Sequence, residues 1–159
     1  MNRNFPTRDW ESNYRYDRIE SLLGQADKQS LTNFAAIQTD KIDNYALALK
    51  VRFAVAGPFS GDDAAAARLI ETWNGAMEAN ASAPLIWAAW TRALARRLYG
   101  DELGANFAAY WGYRDQFMLR VLDDIEGESR WCDDRATPDI EDCASRIRLA
   151  LRDALTELS

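Results

Sequence analysis

Glycine and proline breaks at Gly24, Gly57-Pro58, Gly75 and Pro138 cut this chain into stretches whose apolar residues recur at helical spacing. No stretch carries sustained two-residue alternation with a β-branched run, so nothing in the sequence asks for a strand. The chain therefore reads as all-α, with five to six helices and no internal repeat. Of its 159 residues 48% are apolar, enough for one core, and the length argues for a single helical segment over residues 1–159.

The first helix is expected over residues 10–23, closed by Gly24, with Ile19, Leu22 and Leu23 on its apolar stripe. Ser30 is a fitting N-cap for a second helix, which the stripe Leu31, Phe34, Ile42, Tyr45, Leu49 and Phe53 carries without a break to Gly57-Pro58. Asp62 and Asp63 suit the positive end of a third helix, presenting Ala66, Leu69, Ile70 and Trp73 before Gly75. A fourth starts at Ser82 with Pro84 in its first turn, and its apolar surround predicts the most buried helix, resurfacing from Arg92 to Arg97. Residues 101–126 suggest two short helices interrupted near Gly112, with Phe117, Leu119, Val121 and Leu122 in the core. Thr137-Pro138-Asp139 is expected to start the last helix, along the stripe Ile140, Cys143, Ala144, Ile147, Leu151, Leu155 and Leu158.

Cys132 and Cys143 are separated by ten residues that include a proline, a loop able to bring two sulfurs within bonding distance. Read as a disulfide, the pair points outside the reducing cytosol and serves a structural role. Because Cys143 lies on an apolar stripe, the competing reading is an inert buried thiol. The spacing is not the Cys-x2-Cys of structural zinc, and no metal or cofactor site is expected.

Nineteen basic and twenty-five acidic residues give a net charge of -6 with no basic cluster, which argues against nucleic acid as a partner. No apolar run approaches the roughly 18 residues of a membrane span, and the first residues lack the apolar core of a signal peptide. If the protein is exported, its signal lies elsewhere. There is no histidine, which removes the commonest general base, the Ser-His-Asp triad and the commonest metal ligand together. The acid pairs Asp62-Asp63, Asp123-Asp124 and Asp133-Asp134 do not face each other as a glycosidase pair must, and Trp73, Trp87 and Trp90 lie on core stripes. Two polar residues stand out at helical register with core positions. Arg15 sits four residues before Ile19, and Gln38 falls within the second stripe; each would need a partner if buried.

Taken in order, Asp9-Trp10, Tyr14-Arg15, Arg18-Ile19-Glu20, Leu22-Leu23, Phe34-Ala-Ala-Ile-Gln-Thr-Asp40, Trp73-Asn-Gly75, Ala83-Pro-Leu-Ile86, Trp90 and Trp131-Cys-Asp-Asp134 through Cys143 resemble the penicillin acylase (penicillin amidase) family. These are N-terminal-nucleophile hydrolases of αββα fold, exported to the periplasm and cut autocatalytically so that a serine heads the large subunit. The serine's own α-amino group acts as base, which suits a chain without histidine. The resemblance implies a helical segment from the interior of the large subunit, lacking the nucleophile and the sheets, with Met1 as a truncated start. It implies that the parent hydrolyses acyl-amide bonds of β-lactams, acyl-homoserine lactones or similar small molecules, that the small subunit and the sheet region are partners, and that this segment alone is inactive and prone to self-association. It also implies two site roles. Arg15 corresponds to an arginine that braces an oxyanion-binding asparagine, and Asn2 is the candidate for that asparagine, although the family's linker is longer than Asn2 to Trp10. The reading from a different class is a self-sufficient helical interaction or ligand-binding module, which flanking sequence would distinguish.

Overall fold

The computed structural model describes residues 12–110 and 114–159. Among these it contains eight α-helices, two 3-10 segments and no strand, so the all-α expectation holds. The chain divides into two compact units, Met1–Asp40 and Lys41–Ser159.

The first unit contains α1 (Tyr14–Leu23) and α2 (Leu31–Gln38). Gly24 ends α1 by donating its N–H to the Glu20 carbonyl at 2.9 Å. The Gln29 side chain donates to the carbonyls of Leu23 and Ala26, holding the link, and Ser30 caps α2 by accepting the Asn33 N–H at 3.1 Å. None of the described residues of α1 or α2 is buried. Leu31 is 90% exposed, and both Arg15 and Gln38 are exposed, contrary to the core-facing register expected for them. Trp10 lies outside the described residues.

The long second helix expected from its stripe is two helices. Thr39 turns its hydroxyl back onto the carbonyls of Ala35 and Ala36, and Asp43 caps a new helix, α3 (Asn44–Val55), by accepting the Ala46 N–H at 3.0 Å. Short polar side chains that bond locally offer the backbone an alternative to continued helix, and here two of them end one helix and begin the next.

In the second unit α4 (Gly61–Thr72) follows, with Asp62 and Asp63 in its first turn as expected. Its open carbonyl end is covered from α3, where the Lys50 ammonium donates to the carbonyls of Glu71 and Trp73. The Trp73-Asn-Gly75 motif then forms a tight turn. The Trp73 indole N–H donates to the Ala76 carbonyl at 2.9 Å, and backbone bonds from Asp43 to Gly75 and from Met77 to Lys41 tie it to the start of α3. Gly75 has φ +83°, and a Cβ there would lie 3.0 Å from Leu47, so only glycine fits.

The 22-residue α5 (Ser82–Leu103) is the most buried helix. It does not resurface at Arg92. Leu94, Leu98 and Tyr99 continue the buried face, while Arg92 and Arg97 reach outward to Glu157 and Asp153. Beyond Leu103 come a 3-10 turn, Gly104–Asn106, then α6 (Phe107–Tyr110) and α7 (Asp115–Leu122); the expected interruption at Gly112 lies outside the described residues. On α7 the fully buried residues are Met118 and Val121, with Phe117, Leu119 and Leu122 half-buried, which turns the expected core face by about one position.

A second 3-10 segment, Ile125–Cys132, leads to the cysteine loop and to α8 (Cys143–Leu158). The last helix begins at Cys143, later than expected. Thr137 bonds to the Glu141 carboxylate instead of opening a helix, Asp142 is the cap that accepts the Ser145 N–H, and Ile140 points to solvent at 90% exposure. The buried stripe is Arg146, Ile147, Ala150, Leu151 and Ala154, while Leu158 is exposed. Helix α8 packs on α5, and Trp90 joins them by donating its indole N–H to the Ile147 carbonyl at 2.8 Å. Phe53, Trp73, Trp87 and Trp90 form one aromatic cluster in the core, as the stripes predicted.

Candidate functional site

Three features bear on function: the arginines of α1, the cysteine loop and the surface grooves. On α1 the sequence singled out Arg15. That side chain is exposed and makes no ion pair with a described residue. The side chain that α1 holds in place is Arg18, one helical turn on. Its guanidinium forks onto the Asp40 carboxylate, Nε to Oδ1 at 3.0 Å and Nη2 to Oδ2 at 2.7 Å, with both partners partly buried. The Asp40 hydrogen bond raises the Arg18 pKa further above its usual value. A bidentate fork of this kind fixes orientation as well as distance. The signal was present in the sequence, because Arg18 and Asp40 both lie in the motifs quoted above, but nothing in their spacing paired them. Asn2 lies outside the described residues, and Gln38 is exposed at the end of α2.

The cysteine loop is a closed clasp. Cys132 and Cys143 are disulfide-bonded with Cα atoms 4.9 Å apart, and neither cysteine is free. The loop is cross-linked internally: Glu141 Oε2 accepts the Asp134 N–H at 2.8 Å, Asp133 Oδ1 accepts the Glu141 N–H at 3.1 Å, and Asp134 Oδ1 accepts the Ala136 N–H at 3.0 Å. Into it projects a residue that sequence reasoning missed. Arg146, only 3% exposed, donates Nε to the Cys132 carbonyl at 2.7 Å and lies 3.1 Å from the Asp134 carboxylate and 3.6 Å from Glu141. The clue was an arginine three residues after Cys143, on the same helix face as a half-cystine. From outside, Arg135 ties the loop to the end of α5 through Asp101 and Glu102. Both acidic partners are held below their usual pKa, Asp134 chiefly by the Ala136 N–H and Glu141 chiefly by the Asp134 N–H, with Arg146 adding to each. All of this chemistry is spent on holding the loop. A thiol titration of the unfolded, unreduced chain is expected to find no free thiol, and reduction is expected to lower stability by about 2 to 3 kcal/mol through the freed loop. Two titratable thiols would rule the bond out.

Among the surface grooves lined by described residues, one of about 510 Å³ is bounded by Ala93, Arg96, Asp153, Thr156 and Glu157, and another of about 210 Å³ by Ala54, Phe59, Ala64, Ala67, Arg68 and Glu71. Neither contains Arg15 or the cysteine pair. No three metal-ligating side chains cluster among the described residues, and no helix there is long and apolar enough to cross a membrane.

No curated protein and no solved structure matches the chain. Against the penicillin amidase family the match runs over residues 1–159, from the arginine-bearing first helix through the disulfide clasp to the final residue. With no part of the chain left outside that match, this protein belongs to the penicillin amidase family.

Proposed function

We propose that this chain is a helical scaffold segment of a linear-amide hydrolase of the penicillin amidase type, and that it is catalytically silent alone. The observation that carries the reading is the family match over every residue of a chain whose described part contains helices and no strand. Autocatalytic serine chemistry of this family needs a nucleophile seated on a sheet, and such a sheet would be supplied by the rest of the large subunit together with the small subunit. The reaction would be attack of the serine hydroxyl on an acyl-amide carbonyl, passage through an oxyanion-bearing tetrahedral intermediate to an acyl-enzyme, and hydrolysis by water. A β-lactam side-chain amide or an acyl-homoserine lactone fits that chemistry. The Cys132–Cys143 bond supports a periplasmic or secreted setting, where such bonds persist. Helices α1 and α2, without a buried side chain, support an element that packs on further protein, or on another copy when isolated.

Within that reading, Arg15 braces the asparagine that binds the oxyanion, and Asn2 or an asparagine upstream is the donor. The bidentate Arg18–Asp40 pair favours a second assignment on the same helix, because preorganised support requires a side chain that is itself held. The isolated chain is expected to hydrolyse neither substrate class. In a processed hydrolase carrying this segment, Arg15→Ala is expected to lower kcat roughly 100-fold with little change in KM, the cost of a misplaced oxyanion donor. A loss confined to Arg18→Ala moves the bracing role to Arg18. Turnover by the isolated chain that Arg15→Ala abolishes would overturn the scaffold reading.

A further inference from the structure

We propose that Asn74 is a site of spontaneous backbone modification, in which the Asn74-Gly75 link closes to a succinimide and reopens as an isoaspartyl or aspartyl residue. The chain has eight asparagines, and Asn74 is the one followed by glycine. The others precede Arg3, Phe5, Tyr14, Phe34, Tyr45, Ala81 and Phe107, whose side chains crowd the attacking nitrogen. The fold sharpens this difference. The N–H groups following Asn33, Asn80 and Asn106 are engaged by the carbonyls of Ser30, Glu78 and Gly104. The Gly75 N–H has no such acceptor among the described residues.

Asn74 is exposed, and its side-chain Oδ1 accepts the Ala76 N–H at 3.0 Å. That bond folds the side chain back along the turn. It also places a donor on the oxygen that becomes negative when the amide carbon is attacked, the same assistance an oxyanion hole provides. Gly75 itself is buried, so in the reaction its nitrogen gives its proton to base that enters as the turn opens locally, and bonds to Asn74 Cγ. The Cγ–Nδ2 bond then breaks and Nδ2 leaves as ammonia, taking up a proton. Water adds to one of the two ring carbonyls; opening on the main-chain side routes the backbone through Cβ and Cγ, and opening on the other side leaves an ordinary aspartate. No oxidant or reductant is involved.

Glycine cannot be exchanged for a slower residue here, because φ is +83° and a Cβ would meet Leu47 and the Asp43 carbonyl. The glycine of the labile pair is thus imposed by the turn that ties the end of α4 to the start of α3. The added backbone atom of the isoaspartyl form would disturb the bonds from Asp43 to Gly75 and from Trp73 to Ala76.

The test is to age the folded chain at mildly alkaline pH, digest it, and read amide-to-acid conversion at each asparagine by mass spectrometry, with isoaspartyl methyltransferase labelling as a second readout. Conversion at Asn74 is expected to exceed that at any other asparagine by at least ~10-fold, and labelling is expected to vanish in Asn74→Asp kept unaged. A parallel sample in urea controls for the fold. If the unfolded chain converts at Asn74 while the folded chain does not, the turn protects the link and the proposal fails; it fails equally if another asparagine leads.

Discussion

Trp90→Ala is expected to cost about 4 kcal/mol of unfolding free energy, the largest single-residue loss in the chain. Trp90 is 1% exposed, and its ring lies 4.2 Å from Phe53 and 5.9 Å from Phe59, measured between centroids. Alanine would remove that packing, leave a cavity between α5 and α3, and free the Ile147 carbonyl that the indole N–H now reaches. Trp90→Phe separates the two contributions. It keeps most of the apolar area and loses the hydrogen bond, so a smaller cost of about 1 to 2 kcal/mol is expected. Urea titrations followed by circular dichroism give both values. A Trp90→Ala midpoint equal to that of the unmodified chain would show that this cluster does not carry the core.

Arg146→Met is expected to cost about 3 kcal/mol, because it removes the buried member of a charged cluster, orphans a buried carbonyl and leaves two half-buried carboxylates without their cation. Methionine fills the volume of the side chain's stem, so the loss reports the guanidinium itself. Without it the Cys132 carbonyl loses its donor, and Asp134 and Glu141 face each other without the cation that lies 3.1 and 3.6 Å away. The same cluster sets an acid limb. Since both carboxyls have folded pKa values below their usual 3.8 and 4.5, their contribution is complete above those values and is lost as pH falls through the lower folded ones. The contribution of this cluster should therefore be flat above about pH 5 and fall below it. The variant should keep most of that limb, because the backbone donors at Ala136 and Asp134 remain. An Arg146→Met chain as stable as the parent would mean that the disulfide alone holds the clasp.

Much of the fold was legible because its signals are local. Ser30 accepts the Asn33 N–H, Asp62 and Asp63 stand in the first turn of α4, Gly24 ends α1, and the Trp73, Trp87 and Trp90 stripe is the core. The misreadings came where two local signals compete. A continuous apolar stripe hid the break between α2 and α3, because Thr39 and Asp43 can satisfy backbone groups that the helix would otherwise bond. Thr137-Pro138 looks like a helix start, yet Glu141 captures the threonine and Asp142 makes the cap.

The candidate site was less legible. Helical register placed Arg15 on a core face, but a register says which residues share a side and not whether anything covers that side. Whether a guanidinium is held depends on a carboxylate twenty-two residues away, as Arg18 and Asp40 show. The sequence by itself determined the helical class, through the spacing of its apolar residues, and the family, through its motifs; it left Cys132 and Cys143 as either a disulfide or buried thiols, and the structure joins them. The tertiary structure alone decided which charges are buried. Arg146 enters the clasp while Arg15 stays in solvent, because the cost of burying a cation is offset only where distant segments converge on it.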